Sequence, residues 1–172
     1  VMVFRKAEKD DFEKIKSLYC TLIDREQNDP SFPHWKKGIH PSDEMIRKSI
    51  DKEELYVLTD GDGIAACVIA NGEKVDGYSD VPWKIDSDEV IVLHVLAVHP
   101  DHRGKGLAGN LMESVIELER KAGKKAMRLD VIENNVTAEK LYQKLGFQYI
   151  QTKTLYYEVV GEMTFKMYEL VL

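Results

Sequence analysis

Residues 89–111 read EVIVLHVLAVHPDHRGKGLAGNL, and the fold turns on this stretch. Its first ten residues are nearly all β-branched or aliphatic, the pattern of a central strand covered on both faces. His94 interrupts that run, and a polar ring in an apolar strand is costly unless something bonds it. After HPDHR, three glycines open a helix whose apolar face continues through Leu107, Leu111, Val115, Leu118 and Ala122. A glycine turn feeding a helix N-terminus forms an anion nest, because backbone N–H groups turn inward and the helix dipole adds to them. Arg103 and Lys105 add fixed positive charge beside it.

Two phosphate motifs compete for the turn. Read as letters, Gly104 to Gly109 is G-x-G-x-x-G, the dinucleotide fingerprint, and Asp130 follows at about the 20-residue distance of its ribose-binding acid. That fingerprint puts its first glycine directly after the strand, whereas HPDHR intervenes here and Pro100 breaks the ladder. Too few β–α units follow Gly109 for a doubly wound half, and the last two strands read as an antiparallel pair. A P-loop needs Lys-Ser or Lys-Thr after its second glycine, but Gly109 is followed by Asn110 and Leu111. Neither motif fits.

Working outward, VMVFRKA reads as a first strand, and Asp10 or Asp11 as the cap of a helix with Phe12, Ile15, Leu18, Tyr19, Leu22 and Ile23 on one face. A loop with three prolines leads to a second helix capped by Ser42. ELYVLTDGDGIAACVIAN is a hairpin, and a polar connection holding Trp83 spans residues 72–88. After the glycine-turn helix, KKAMRLDVI is a strand, and Asn134 or Asn135 caps a helix that stops at Gly146. FQYIQTKTLYYEVV and MTFKMYELVL close as two strands. The order β-α-α-β-β-β-α-β-α-β-β, with no repeat or linker, predicts one α+β domain over residues 1–172.

Composition narrows the function. Lys and Arg number 24 against 30 Asp and Glu, so a general nucleic-acid binder is not expected and any polyanion must meet a local basic site. No apolar run is long enough for a membrane span, and the start turns charged too soon for a signal peptide. Cys20 and Cys67 form no ligand-spaced set, so the expectation is a cytoplasmic domain with no metal.

VLAVHPDHRGKGLAGNLM, residues 95–112, resembles the acyl-CoA-binding motif of the GCN5-related N-acetyltransferases, the GNAT superfamily. Arg103, Gly106 and Ala108 match its Arg-x-x-Gly-x-Gly/Ala frame. ENNVTAEKLYQKLGF, residues 133–147, resembles the family's Asn-x-x-Ala and Leu-Tyr-x-Lys-x-Gly-Phe helix, and HWKKGIHP resembles an early segment of a bacterial-type branch. The resemblance implies a GNAT fold: a mixed sheet of about seven strands, flanked by about four helices, whose central strands splay to admit the cofactor. It implies acetyl-CoA as co-substrate, a small-molecule or peptide amine as acceptor, direct attack in a ternary complex, and no metal. It also allows a homodimer.

The family's residues carry over position by position. The resemblance implies that the pyrophosphate sits on the amides of Arg103, Gly104, Lys105, Gly106, Leu107 and Ala108, and that Leu96, Ala97 and Val98 offer backbone groups to the pantetheine as an added strand would. Tyr142 matches the Tyr that donates to the departing sulfur, and it also lies on an apolar helix face. Asn135 matches a pantetheine-binding Asn, although Asn is also a favoured helix cap. For the base, His94 competes with Glu89 at the start of the same strand, and the residues leave that choice open. Cys67 reads as a buried small hydrophobe rather than a nucleophile, and Trp35, His34 and Trp83 sit in loops that can wall a pocket. The rival classes are an acyl-CoA-binding sensor without turnover and a nicotinamide-dependent enzyme.

Overall fold

Each apolar run takes the form its period dictates in the computed structural model, which describes residues 1–157 and 160–172. The strands are β1 (Met2–Lys6), β2 (Leu55–Asp60), β3 (Gly63–Asn71), β4 (Val90–Val98), β5 (Ala126–Ile132), β6 (Gln148–Tyr157) and β7 (Gly161–Val171). The helices are α1 (Phe12–Glu26), α2 (Asp43–Asp51), α3 (Leu107–Lys121) and α4 (Val136–Lys144). The element order is the one read from the sequence, and the fold is the mixed α+β architecture, with seven strands and four helices among the described residues. The strand expected through Val160 crosses positions 158 and 159, which lie outside the described residues.

The sheet runs β1-β2-β3-β4-β5-β7-β6, with helices packed on both of its faces. Alternation along each strand sorts side chains into two cores. On one face Ile15, Leu18 and Leu22 of α1 and Ile46 and Ile50 of α2 pack on Leu55, Val57, Cys67, Ile69 and Ala97. On the other, Leu107, Leu111, Met112 and Val115 of α3 pack on Leu58, Val68, Leu93, Met127 and Leu129, with Tyr142 of α4 and Leu145 just past its end alongside. A third cluster joins Tyr78 and Val81 of the 72–88 connection to Val92 and Met167. Burial of each such aliphatic side chain contributes about 1.5–3 kcal/mol.

Helix ends show where local chemistry departs from the sequence reading. Ser42 caps α2 as expected, its Oγ accepting from the Met45 N–H at 3.1 Å. Asn135, not Asn134, caps α4 through the Ala138 N–H, while Asn134 sits at φ 81°, a left-handed turn that Asn tolerates. Neither Asp10 nor Asp11 caps α1 with its side chain, because a 3-10 turn at Lys9–Asp11 precedes the helix. The Asp11 carboxylate instead accepts the Glu8 N–H and both arms of the Arg5 guanidinium, at 2.7 and 2.9 Å. A bidentate charged partner outweighs a single cap bond.

One ion pair locks β5, β7 and the 72–88 connection together. Glu169 is fully buried, Arg128 bonds its Oε2 at 3.0 Å, and the Lys84 N–H donates to its Oε1 at 2.7 Å. The Arg128 guanidinium also lies over the Trp83 ring, 4.6 Å from its centroid. Removing one partner of a buried pair strands the other charge. Glu169→Ala should therefore destabilise the fold by about 3–5 kcal/mol, read as a fall in the urea unfolding midpoint at unchanged m-value.

Candidate active site

The site begins where a ladder stops. β4 and β5 are parallel neighbours over three positions, Val90↔Ala126, Ile91↔Met127 and Val92↔Arg128. β4 then follows β3 to Ala66↔Val98, and β5 follows β7 to Ile132↔Phe165. The two strands thus diverge from one closed end into a wedge-shaped gap. A bulge shapes the β4 side: the β3 register shifts between Cys67 and Ile69, and Val95 adopts φ 49°. A β-branched residue in the left-handed region is a strained outlier, held only where its surroundings over-determine it. Tyr19 of α1 supplies that constraint, its hydroxyl donating to the Val95 carbonyl at 2.7 Å from within the core.

The glycine turn lies beyond the end of β4. Pro100–His102 forms a 3-10 turn, and α3 starts at Leu107 after Gly104 and Gly106, both left-handed at φ 74° and 71°. Only glycine takes that conformation without cost, and a Cβ added at either position would point into open space. No side chain caps the N-terminus of α3, so its first amides remain directed at the turn. Gly109 falls inside the helix, facing Leu141 of α4. Two ion pairs tie the turn to the end of α1: Arg25 with Asp101 at 2.9 Å, and Arg103 with Glu26.

Polar groups gather along the gap on the face away from α3. His94 Nε2 meets Asn71 Oδ1 at 2.9 Å, and the Glu73 N–H donates to that same oxygen at 3.2 Å. Two donors on one oxygen fix the amide orientation, so Nε2 carries the imidazole proton and Nδ1 is left as the basic atom. Burial holds the His94 pKa below its ordinary value, opposed by the Glu73 carboxylate and assisted by nearby His40. Tyr142 of α4 stacks edge-on with Phe147, 5.9 Å between centroids, and burial together with the Asp130 carboxylate keeps its phenol well above the ordinary value.

The remaining sequence candidates divide. Glu89 is exposed, its N–H bonded to Ser87 Oγ and its carbonyl to the Lys125 N–H, at the closed end of the wedge. It stands five residues, about 17 Å of strand, from His94, so the structure does not bring it to the other candidates. Cys67 is fully buried with its thiol pushed up to about 12, as befits a packing residue. Trp35 packs edge-on against both Tyr19 and Phe32, and Trp83 donates to the Tyr78 carbonyl. Sequence reasoning missed Tyr19 and Tyr78 as polar contributors, and it weighed Asp130 only as a ribose acid. A tyrosine on an otherwise apolar helix face, and an aspartate inside AMRLDVI, were the available signals.

Comparison with known proteins agrees with this geometry. A sequence profile of the Acetyltransferase (GNAT) family matches residues 12–147. An uncharacterized N-acetyltransferase of Methanocaldococcus jannaschii is 35% identical over 92 residues, covering 52% of this chain and 40% of that one. An L-amino acid N-acyltransferase of Escherichia coli is 37% identical over 75 residues, covering 42% and 44%. The chain thus spans less than half the length of these two relatives. A Listeria monocytogenes GNAT acetyltransferase structure superposes with TM-score 0.76 at 24% identity, covering 99% of this chain and 95% of that one. A Salmonella typhimurium acetyltransferase solved with its cofactor acetyl-CoA gives 0.71 at 18% identity, covering 100% and 94%. This chain belongs to the Acetyltransferase (GNAT) family.

The bulge contact is directly testable. Tyr19→Phe removes this hydrogen bond to the Val95 carbonyl, which should cost about 0.5–1.5 kcal/mol of stability by chemical denaturation.

Proposed function

We propose that this protein transfers an acetyl group from acetyl-CoA to a primary amine by direct attack within a ternary complex. The observation that carries the reading is the pairing of an amide-lined, side-chain-free glycine turn with the β4–β5 gap beside it. The turn from Arg103 to Ala108 fits a pyrophosphate: left-handed glycines leave open space before their amides, and Lys105 is exposed at the same corner. The gap leaves Leu96, Ala97 and Val98 with a backbone edge that β5 does not pair, which suits a pantetheine arm bound as an added strand. Acetyl-CoA bound there supplies an activated acyl group. Asn135 Oδ1 accepts the α4 cap bond, which fixes the amide orientation and leaves its NH2 group free of that cap to serve the arm.

Proton handling follows from pKa values. Nδ1 of His94 accepts the proton that an attacking ammonium must lose, and its depressed pKa keeps it neutral at neutral pH. Tyr142 faces the opposite problem. A phenol held above about 10 cannot readily protonate a thiolate whose conjugate acid lies near 8.5, since the transfer runs uphill by about 2 kcal/mol or more. Its role is therefore that of a protonated hydroxyl donating a hydrogen bond to the departing sulfur. Burial serves that role by keeping the proton on.

Free-thiol release from acetyl-CoA across a panel of amines tests the assignment; tight CoA binding with no release for any amine would instead mark a non-catalytic sensor. Tyr142→Phe should lower kcat about tenfold with the KM for acetyl-CoA unchanged, as expected for an interaction made only in the transition state. The pH profile carries the His94 signature. Because the base must be neutral, kcat/KM should fall as pH drops through a value below about 6.5, and His94→Gln should remove that acid limb.

A further inference from the structure

Register places one residue directly across the gap from His94. Val92 and Arg128 are the last paired positions of β4 and β5, and the next side chains on that same face are His94 and Asp130. Asp130 is open to solvent, yet the protein crowded around it pushes its carboxyl pKa upward. It stands on the side of the gap that β4 and β5 leave unpaired beyond Val92 and Arg128. Its one hydrogen-bond partner among the described residues is the Tyr78 hydroxyl, which donates to Oδ2 at 2.7 Å.

The cations on β5 and on the strands beyond it are engaged elsewhere. Arg128 on its own strand pairs with Glu169, Lys166 of β7 pairs with Glu139 of α4, and Lys153 of β6 pairs with Asp80. Tyr142 of α4 approaches closely enough for the Asp130 charge to hold its proton on. Among the described residues no Lys or Arg makes an ion pair with Asp130. It is an exposed carboxylate without a cationic partner among the described residues, across the register from His94 and near enough to Tyr142 to act on its phenol.

We infer that Asp130, positioned by Tyr78, receives the acceptor as an alkylammonium ion, so that the acceptor class is a strongly basic amine rather than a weakly basic arylamine or a neutral nucleophile. The inference rests on the transferase reading only for calling the bound amine an acceptor. A cation-binding carboxylate suits such a substrate, because an amine of pKa near 10.4 is free base in only about one molecule in 2500 at pH 7. Capturing the abundant protonated form uses the whole amine pool. His94, across the gap, then takes its proton. Tyr78 is a positioning residue: it comes from the 72–88 connection, which Lys84 and Ile85 fasten to Glu169 and Arg128, so its hydroxyl approaches Asp130 from an anchored segment.

Saturation-transfer NMR on the full chain with CoA bound, using benzylamine and its neutral isostere benzyl alcohol as probes, tests this without turnover. The wild type should bind benzylamine in clear preference to benzyl alcohol. Asp130→Asn should weaken benzylamine about ten- to a hundredfold while leaving CoA affinity unchanged. Tyr78 favours the ionised carboxylate, so Tyr78→Phe should raise the pH below which benzylamine binding is lost, a shift that a merely structural tyrosine would not produce. Equal benzylamine affinity in wild type and Asp130→Asn, or no preference over benzyl alcohol, overturns the ammonium site; an unmoved midpoint in Tyr78→Phe overturns the positioning role. In turnover, Asp130→Asn should raise the amine KM more than it lowers kcat. Acetylation with an unchanged amine KM sinks this site and keeps the transferase, whereas Asp130-dependent binding without acetylation does the reverse.

Discussion

Everything of chemical interest here depends on a pairing that is broken off early. Two adjacent parallel strands would gain hydrogen bonds by continuing side by side, and β4 and β5 stop after three positions. The forgone bonds are compensated from outside the gap: β3 keeps hold of β4, β7 keeps hold of β5, and Tyr19 bonds the bulge carbonyl from the core. The wedge is therefore rigid on both sides and open between them. Such an opening exposes backbone polar groups that need partners, which is a liability in a structural sheet and an asset in a binding one.

Much of this architecture was legible from residues 89–111. The apolar run, Pro100 and the glycines specified a central strand, an interruption and a helix start, and each is where the letters placed it. Local rules succeeded because each needed only local information: Ser42 and Asn135 cap the helices that follow them within three residues. The failures are equally physical. Asp11 was read as a cap because its competing partner, Arg5, becomes a neighbour only once β1 and the helix entry are packed. The choice of base between Glu89 and His94 was open in the sequence because both lie on one strand, whose extended backbone holds its residues far apart without saying which faces the reaction. The neighbourhood of Asp130 was invisible because it depends on the register between two strands and on a connection arriving from residue 78.

Charge is arranged against the chain's overall sign. The molecule is acidic, with a formal net charge of −6, yet the glycine turn carries Arg103 and Lys105. Arg103 is held by Glu26, and Arg25 of the same helix end holds Asp101. These crossed pairs are exposed on at least one side, where ion pairs contribute little to stability. Their greater effect is to fix the corner between α1 and the turn, so that the amides are in place before any anion arrives.

The two walls of the gap come from different parts of the chain, and this separates what can vary from what cannot. One wall is backbone: left-handed glycines, a helix start and a bulged strand, where a change of side chain disturbs geometry. The other wall carries side chains, His94 from β4 and Asp130 from β5, with Tyr78 brought to Asp130 by the 72–88 connection. Substitutions or insertions there can redraw the recognised molecule while the turn and the sheet stay as they are. A scaffold of this kind can change what it recognises through drift in a single connection, with its backbone wall intact throughout.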